Sequence, residues 1–235
     1  MSSLQSESVQ AETVDGIRIL RLDHGKPNSI STDVARTLMS ELAKAEVEAS
    51  AVVLFGRPGM FSGGFDLGVM KQGAAAAREM VKTGGHLLAA MLEHPKPIVV
   101  GCGGHAIAMG AFLVMAGDFR IGARGDFRLG LNETAIGMTL PTFAVELTRL
   151  RLSKRHCDRA VVQSEIYGPE AAVDAGFLDR IVAPEVLEQE CLAAGLRLAA
   201  LKQPAFRNNK RLAHAATVEQ IRSTLDSNLD ALMRG

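Results

Sequence analysis

Two stretches of the chain place bare backbone where a helix begins. The first is "FSGGFDL", Phe61 to Leu67, in which Gly63 and Gly64 separate an apolar run from a helix start; the second surrounds Gly103, Gly104 and Gly110. Glycine at such a junction has a plain structural use, because it permits a tight turn between strand and helix. It also has a chemical use. The first N–H groups of a helix have no partner within it, and a glycine turn lets an anionic oxygen approach them. Two such turns could each direct one N–H at the same carbonyl oxygen. Converging donors of this kind form an oxyanion hole, which contributes about 3 kcal/mol per donor to stabilising an enolate.

Other chemistries lack their residues. The first strand is not followed by G-x-G-x-x-G, and the chain has neither a Walker sequence nor G-x-S-x-G, which argues against nucleotide-fold and serine-hydrolase readings. His105 follows Cys102 by three residues, but no second pair completes a ligand set; no metal site is expected, and His105 reads as a strand-to-helix turn residue. Lys plus Arg and Asp plus Glu balance at 26 each, so no overall field favours nucleic acid or a membrane surface. The three cysteines are far apart and lie in apolar or helical stretches, which suits a reducing compartment rather than a disulfide framework. With no apolar segment at its start long enough for a signal peptide or a spanning helix, the expected location is cytoplasmic.

The elements that must hold the two turns can be read from periodicity. Thr13 to Asp23 alternates as a strand pair turned at "VDG". Ser31 or Thr32 can cap a helix whose Val34, Leu38, Leu42 and Ala45 share one face. Ala51 to Gly56 and Pro97 to Cys102 are short apolar runs, each a buried strand followed by glycines. A helical region runs behind the first turn to Glu93, and "HAIAMGAFLVMAG" is apolar on all sides, as a fully buried helix would be. "DFRIGA" and "DFRLGL" read as short strands, and a helix is expected from about Thr142 to Leu150. From Ser153 the chain is mostly helical, interrupted at "GFLDRIVAP". At 235 residues and 47% hydrophobic composition the chain can bury a sizeable core. The pattern is α/β.

The sequence resembles the crotonase family, the enoyl-CoA hydratase/isomerase group. "PNSI", "GRPGMFSGGFDL", "PKPIVVGCGGHAIAMGAFLVMAGDFRIGA" and "NETAIGM-LP" stand in family order and at family spacing over nearly the whole length. The resemblance implies the crotonase fold, with repeated ββα units in a spiral. It makes residues 1–185 the catalytic, acyl-CoA-binding core and residues 186–235 a C-terminal helical region that packs a homotrimer or homohexamer. It also implies that the N–H groups of Phe65 and Met109 are the oxyanion donors and that Glu133 is the acid/base. Lys26, Asn28 and the backbone of Ser62, Gly63, Gly64, Phe65, Asp66 and Leu67 would lie near the adenosine and pantetheine portions of coenzyme A. No cofactor is implied beyond the coenzyme A of the substrate.

The chain departs from the pattern in one position that matters for the reaction. Hydratases of the family carry two glutamates, and the position of the first, in the buried helix, is Phe112 here. The helix-start glycine triplet is changed to Ala108, Met109 and Gly110, so the Met109 side chain is expected to narrow or redirect the acyl pocket. A lone carboxylate among apolar groups has its charged form disfavoured, which suits a proton shuttle near neutral pH. One shuttle can take a proton from C2 and return it at C4, whereas hydration usually requires two groups to manage a water. The expected activity is therefore that of an enoyl-CoA hydratase/isomerase with isomerisation favoured. Two alternatives stay open: a noncatalytic acyl-CoA-binding relative, and an acyl-CoA hydrolase or decarboxylase on the same fold.

Overall fold

The computed structural model describes residues 8–232. Strands β1 (Val9–Val14) and β2 (Ile17–Leu22) form the hairpin, with β1 beginning at Val9 rather than at Thr13, where the alternation starts. Asp15 and Gly16 turn it with φ of 50° and 77°, the positive values that a two-residue hairpin loop requires. Ser31 caps α1 (Thr32–Glu48) by accepting the Val34 N–H at 3.2 Å. Strands β3 (Ala51–Phe55) and β4 (Gly59–Ser62) then precede the short α2 (Leu67–Met70) and the long α3 (Ala74–Glu93).

The same ββα order repeats in β5 (Ile98–Cys102), β6 (Gly104–Ile107) and α4 (Met109–Ala116). Here the structure corrects the sequence reading. His105 sits within strand β6, and the fully buried helix is only the eight residues from Met109. Uniform apolarity gives no period by which a buried strand and a buried helix can be told apart. Next come β7 (Phe119–Ala123), a two-residue β8 (Leu129–Gly130), a 3₁₀ turn at Thr134–Ile136 and α5 (Thr142–Arg151). The remainder is α6 (Lys154–Val161), β9 (Ile166–Tyr167), α7 (Pro169–Ala175), β10 (Arg180–Val182), a second 3₁₀ turn, α8 (Leu187–Ala199) and α9 (Gln203–Leu232).

Two sheets carry the spiral. The larger has the order β1-β2-β3-β5-β7-β10, parallel except for the first hairpin, and the smaller is β4-β6-β8-β9. Each repeat thus supplies one strand to each sheet before its helix, and the smaller sheet aligns the ends of β4 and β6 from which α2 and α4 begin. Helix α8 packs on β3, β5 and β7, burying Leu187, Cys191 and Ala194. Helix α9 folds back over α3 and α5 of its own chain, where Val218, Ile221, Leu225 and Leu229 are buried. The apolar face of the C-terminal helix is thus covered within the chain. The Asn228 Oδ1 accepts the Thr142 N–H at 2.8 Å and so caps the start of α5.

Candidate active site

The loop between β2 and α1 is clamped to the end of β4 by Asn28. This residue is fully buried with φ of 51°. Its Nδ2 donates to Leu22 O at 3.0 Å and Phe61 O at 2.8 Å, while its Oδ1 accepts the His24 N–H at 2.8 Å. The side chain therefore holds the loop rather than facing solvent. Lys26, by contrast, is exposed, and its carbonyl accepts from Arg57 Nη2 at 2.8 Å.

The glycine turn follows directly from this clamp. Gly63 N–H donates to Pro27 O at 2.8 Å, Ile30 N–H to Gly64 O at 2.8 Å, and Asp66 N–H to Ile30 O at 3.1 Å. Gly64 N–H meets the buried Ser62 Oγ at 3.2 Å. The two bonds to Ile30 flank Phe65, so the Phe65 N–H points away from that strand and makes no hydrogen bond among the described residues. Asp66 serves the structure of the turn. Its Oδ1 caps α2 by accepting from Gly68 N at 2.7 Å and Val69 N at 3.3 Å, and its Oδ2 accepts from Ser29 Oγ at 3.1 Å. Leu67, first residue of that helix, is exposed.

The second turn meets the first. Gly64 has φ of 102°, and a Cβ there would lie 3.0 Å from Ala108 Cβ and 3.5 Å from Met109 N. A Cβ on Gly110 would lie 2.3 Å from Ser62 O, so only glycine lets α4 start this close to β4. Ala108 takes φ 53° and ψ −123°, a conformation that costs a non-glycine residue on the order of 1–3 kcal/mol. The strained turn leaves Met109 at the first position of α4, where its N–H has no intrahelical acceptor. The structure thus brings the free N–H groups of Phe65 and Met109 to adjoining turns. The Met109 side chain is wholly buried, with its methyl group toward α3.

Glu133 is tied to the second turn through β8. Ala108 N–H donates to Gly130 O at 3.0 Å, and three residues beyond Gly130 the chain can have travelled at most about 10 Å. Glu133 starts the 3₁₀ turn, its carbonyl accepting from Ile136 N at 3.1 Å and Met138 N at 2.8 Å. Its side chain is buried, and Oε2 has no hydrogen-bond partner. Burial disfavours the charged carboxylate and pushes its pKa up to about 7, against the opposing pull of its own backbone N–H. A buried carboxylate with one oxygen unpartnered and a pKa near neutrality is suited to taking and returning a proton.

Phe112, one turn into α4, is buried and packs edge-on against Phe143 of α5, with ring centroids 6.5 Å apart and planes at 75°. Phe112, the position at which the resemblance to hydratases leads one to expect a glutamate, is therefore half of an aromatic pair that joins α4 to α5. Phe143, and Gly84 of α3, which the Phe65 ring and the Met109 methyl group approach, carry no mark in the sequence as members of the site, and Ala108 is marked there only as part of the altered glycine triplet. For Gly84 a signal exists in "TGGH", two adjacent glycines inside an otherwise uninterrupted helical run. Among the described residues no group of three or more His, Cys, Asp or Glu could hold a metal ion, and no helix is long and apolar enough to cross a membrane.

Comparison with known proteins agrees with this fold. The profile of the enoyl-CoA hydratase/isomerase family matches residues 12–233. A crystal structure of an enoyl-CoA hydratase/isomerase family protein from Pseudomonas syringae is 39% identical and superposes with a TM-score of 0.94, covering 97% of this chain and 99% of that one. The apo enoyl-CoA isomerase of Mycobacterium tuberculosis is 35% identical with a TM-score of 0.91, covering 96% and 99%. Among curated proteins, human mitochondrial enoyl-CoA delta isomerase 1 is 24% identical over 226 residues, which is 94% of this chain and 75% of that protein.

Proposed function

The chain belongs to the enoyl-CoA hydratase/isomerase family, and we propose that within it the protein moves the double bond of a 3-enoyl-CoA into conjugation, giving the 2-enoyl-CoA. The observation that carries this reading is the buried Glu133 carboxylate, whose Oε2 has no hydrogen-bond partner, in a chain that has Phe112 packed on Phe143 where hydratases of the family carry their other glutamate. In the ionised state Glu133 takes a proton from C2. The electron pair moves into the thioester, and the N–H groups of Phe65 and Met109 hold the resulting dienolate oxygen. Glu133, now a carboxylic acid, returns the proton at C4, so the residue ends as it began and nothing is oxidised or reduced. No cofactor is needed beyond the coenzyme A that the substrate carries.

The two donors supply about 3 kcal/mol each to the dienolate, and positioned proton transfer adds on the order of 10²- to 10⁴-fold. Hydration of a 2-enoyl-CoA would additionally need a water to be oriented and activated, for which Phe112 offers no group. The test is a comparison of turnover on 3-enoyl-CoA and 2-enoyl-CoA thioesters of several chain lengths, with Glu133→Gln as control. Faster isomerisation than hydration, both lost in the control, is the expected result. Tight acyl-CoA binding with neither reaction at any length would instead identify a binding protein. In a homotrimer or homohexamer the subunits would meet through surfaces other than the apolar face of α9, which light scattering of Leu225→Ala tests: assembly should persist.

A further inference from the structure

Helix α3 carries two adjacent buried glycines at its middle, Gly84 and Gly85. Each glycine in a helix interior forgoes about 1 kcal/mol relative to alanine, so local propensity does not account for the pair. Space does. A Cβ on Gly84 would lie 2.6 Å from Phe65 Cζ and 2.7 Å from Phe65 Cε1, and 3.3 Å from Met109 Cε. The ring of one proposed donor residue and the methyl group of the other therefore rest on the same bare stretch of helix. On Gly85 a Cβ would instead meet Leu225 Cδ1 at 2.8 Å and Phe143 Cδ1 at 3.2 Å. The two glycines thus receive different neighbours, and only Gly84 faces the oxyanion turns.

We propose that Gly84 is a positioning residue for the oxyanion hole: its missing side chain seats the Phe65 ring against α3 and thereby fixes where the Phe65 N–H points. The inference rests on the assignment of that N–H as a donor. The ring is tied to the donor nitrogen by three bonds, Cγ–Cβ, Cβ–Cα and Cα–N, and the Phe65 backbone is already constrained by the two hydrogen bonds to Ile30. A methyl group on Gly84 has to push the ring by about 1 Å to reach ordinary contact distance, and misplacement of that size can cost about 10²-fold in rate. Met109 presents the end of a flexible side chain at a longer distance and can move aside. Leucine at position 65 would lack the Cζ and Cε1 atoms that collide, while keeping the same N–H.

The experiment combines Gly84→Ala, Phe65→Leu and both together, with two readouts. One is kcat and KM on 3-enoyl-CoA; the other is the red shift in absorption of a bound, conjugated aromatic enoyl-CoA, which reports polarisation of the thioester carbonyl without turnover. Gly84→Ala should lower kcat by about 10- to 100-fold with KM changed less than about threefold, and should diminish the red shift. Adding Phe65→Leu should restore most of both. A wild type that shifts the chromophore but does not turn over 3-enoyl-CoA would sink the isomerase reading and leave the seat standing. Wild-type kcat and shift in Gly84→Ala, losses that Phe65→Leu does not recover, or no shift in the wild type would each overturn the proposal. Should Gly84→Ala alone fail to fold, the double variant decides: folding with a restored shift supports the seat, and failure to fold refutes it.

Discussion

The N–H of Ala108 donates to Gly130 O at 3.0 Å, so the turn that presents Met109 and the strand that leads to Glu133 are one hydrogen-bonded unit. Ala108 holds its end of that unit at φ 53° and ψ −123°, a region that glycine enters without steric cost. Ala108→Gly should therefore stabilise the fold by about 1 kcal/mol, the relief of strain exceeding the added chain entropy. It should also let the Met109 N–H wander and lower kcat several-fold. Denaturant titration and steady-state kinetics of one preparation check both; unchanged stability would show that the turn is unstrained.

Glu133→Gln keeps the shape of the side chain and removes its ability to carry the proton. The isomerisation rate should fall by about 10²-fold or more, with acyl-CoA affinity nearly unchanged. The amide also ends the burial of a charge, so the variant should be more stable than the parent at pH 8. Equal turnover in the two proteins would take Glu133 out of the mechanism.

The raised pKa of Glu133 fixes the sign of two pH dependences. An unfolded glutamate ionises near pH 4.3, whereas the folded group holds its proton to about 7. Its contribution to stability is therefore fully present below about pH 4, declines as pH rises, and settles above pH 7 at a penalty of roughly 3–4 kcal/mol. Activity should run the other way if the ionised form is the base, as proposed: kcat/KM should rise and level off with an apparent pKa near 7. Subtracting the stability profile of Glu133→Gln isolates the first effect. A parent profile of kcat/KM that stays flat through neutrality would contradict the second.

Much of this site is legible in the sequence, and the reason is local. Gly63 and Gly64 sit beside their own helix start, and Glu133 lies within a contiguous motif, so neighbouring residues announce the turns. Strand β6 is hidden because His105 to Ile107 runs straight into an apolar helix without a change of period. The seat at Gly84 is hidden for a different reason. Its partner Phe65 lies nineteen residues away across a helix, and sequence alone does not say which ring a bare glycine receives. The same holds for the docking of α9, whose apolar residues fit a face on its own chain as readily as one on another.

That docking can be tested at Leu225, buried against Gly85 of α3. Leu225→Ala should destabilise the fold by about 2–5 kcal/mol, the range for a leucine removed from a packed core. The ion pairs of Arg78 and Lys82 with Asp226 are exposed, at 3.0 Å and 2.7 Å, and screened by salt, so they should not compensate. Chemical denaturation at low and high salt measures both; a loss well under 1 kcal/mol would mean that α9 is not held by this contact.

On the proposed reading, Phe112 is the residue that favours isomerisation over hydration. Its ring lies edge-on to Phe143, and such pairs contribute about 0.5–1.5 kcal/mol beyond the area they bury. Phe112→Glu forfeits that contact and places a carboxylate where apolar groups packed, at a cost of several kcal/mol, so folding is established first by thermal melting. In the folded variant the new carboxylate provides the second group that water activation requires, and hydration of 2-enoyl-CoA should rise relative to isomerisation of 3-enoyl-CoA. Both reactions are followed by absorbance of the conjugated thioester and by product mass. Should the unaltered protein hydrate 2-enoyl-CoA efficiently while isomerising no 3-enoyl chain length, Glu133 would have to manage the water without a carboxylate at position 112, and the assignment of a single proton shuttle would be wrong.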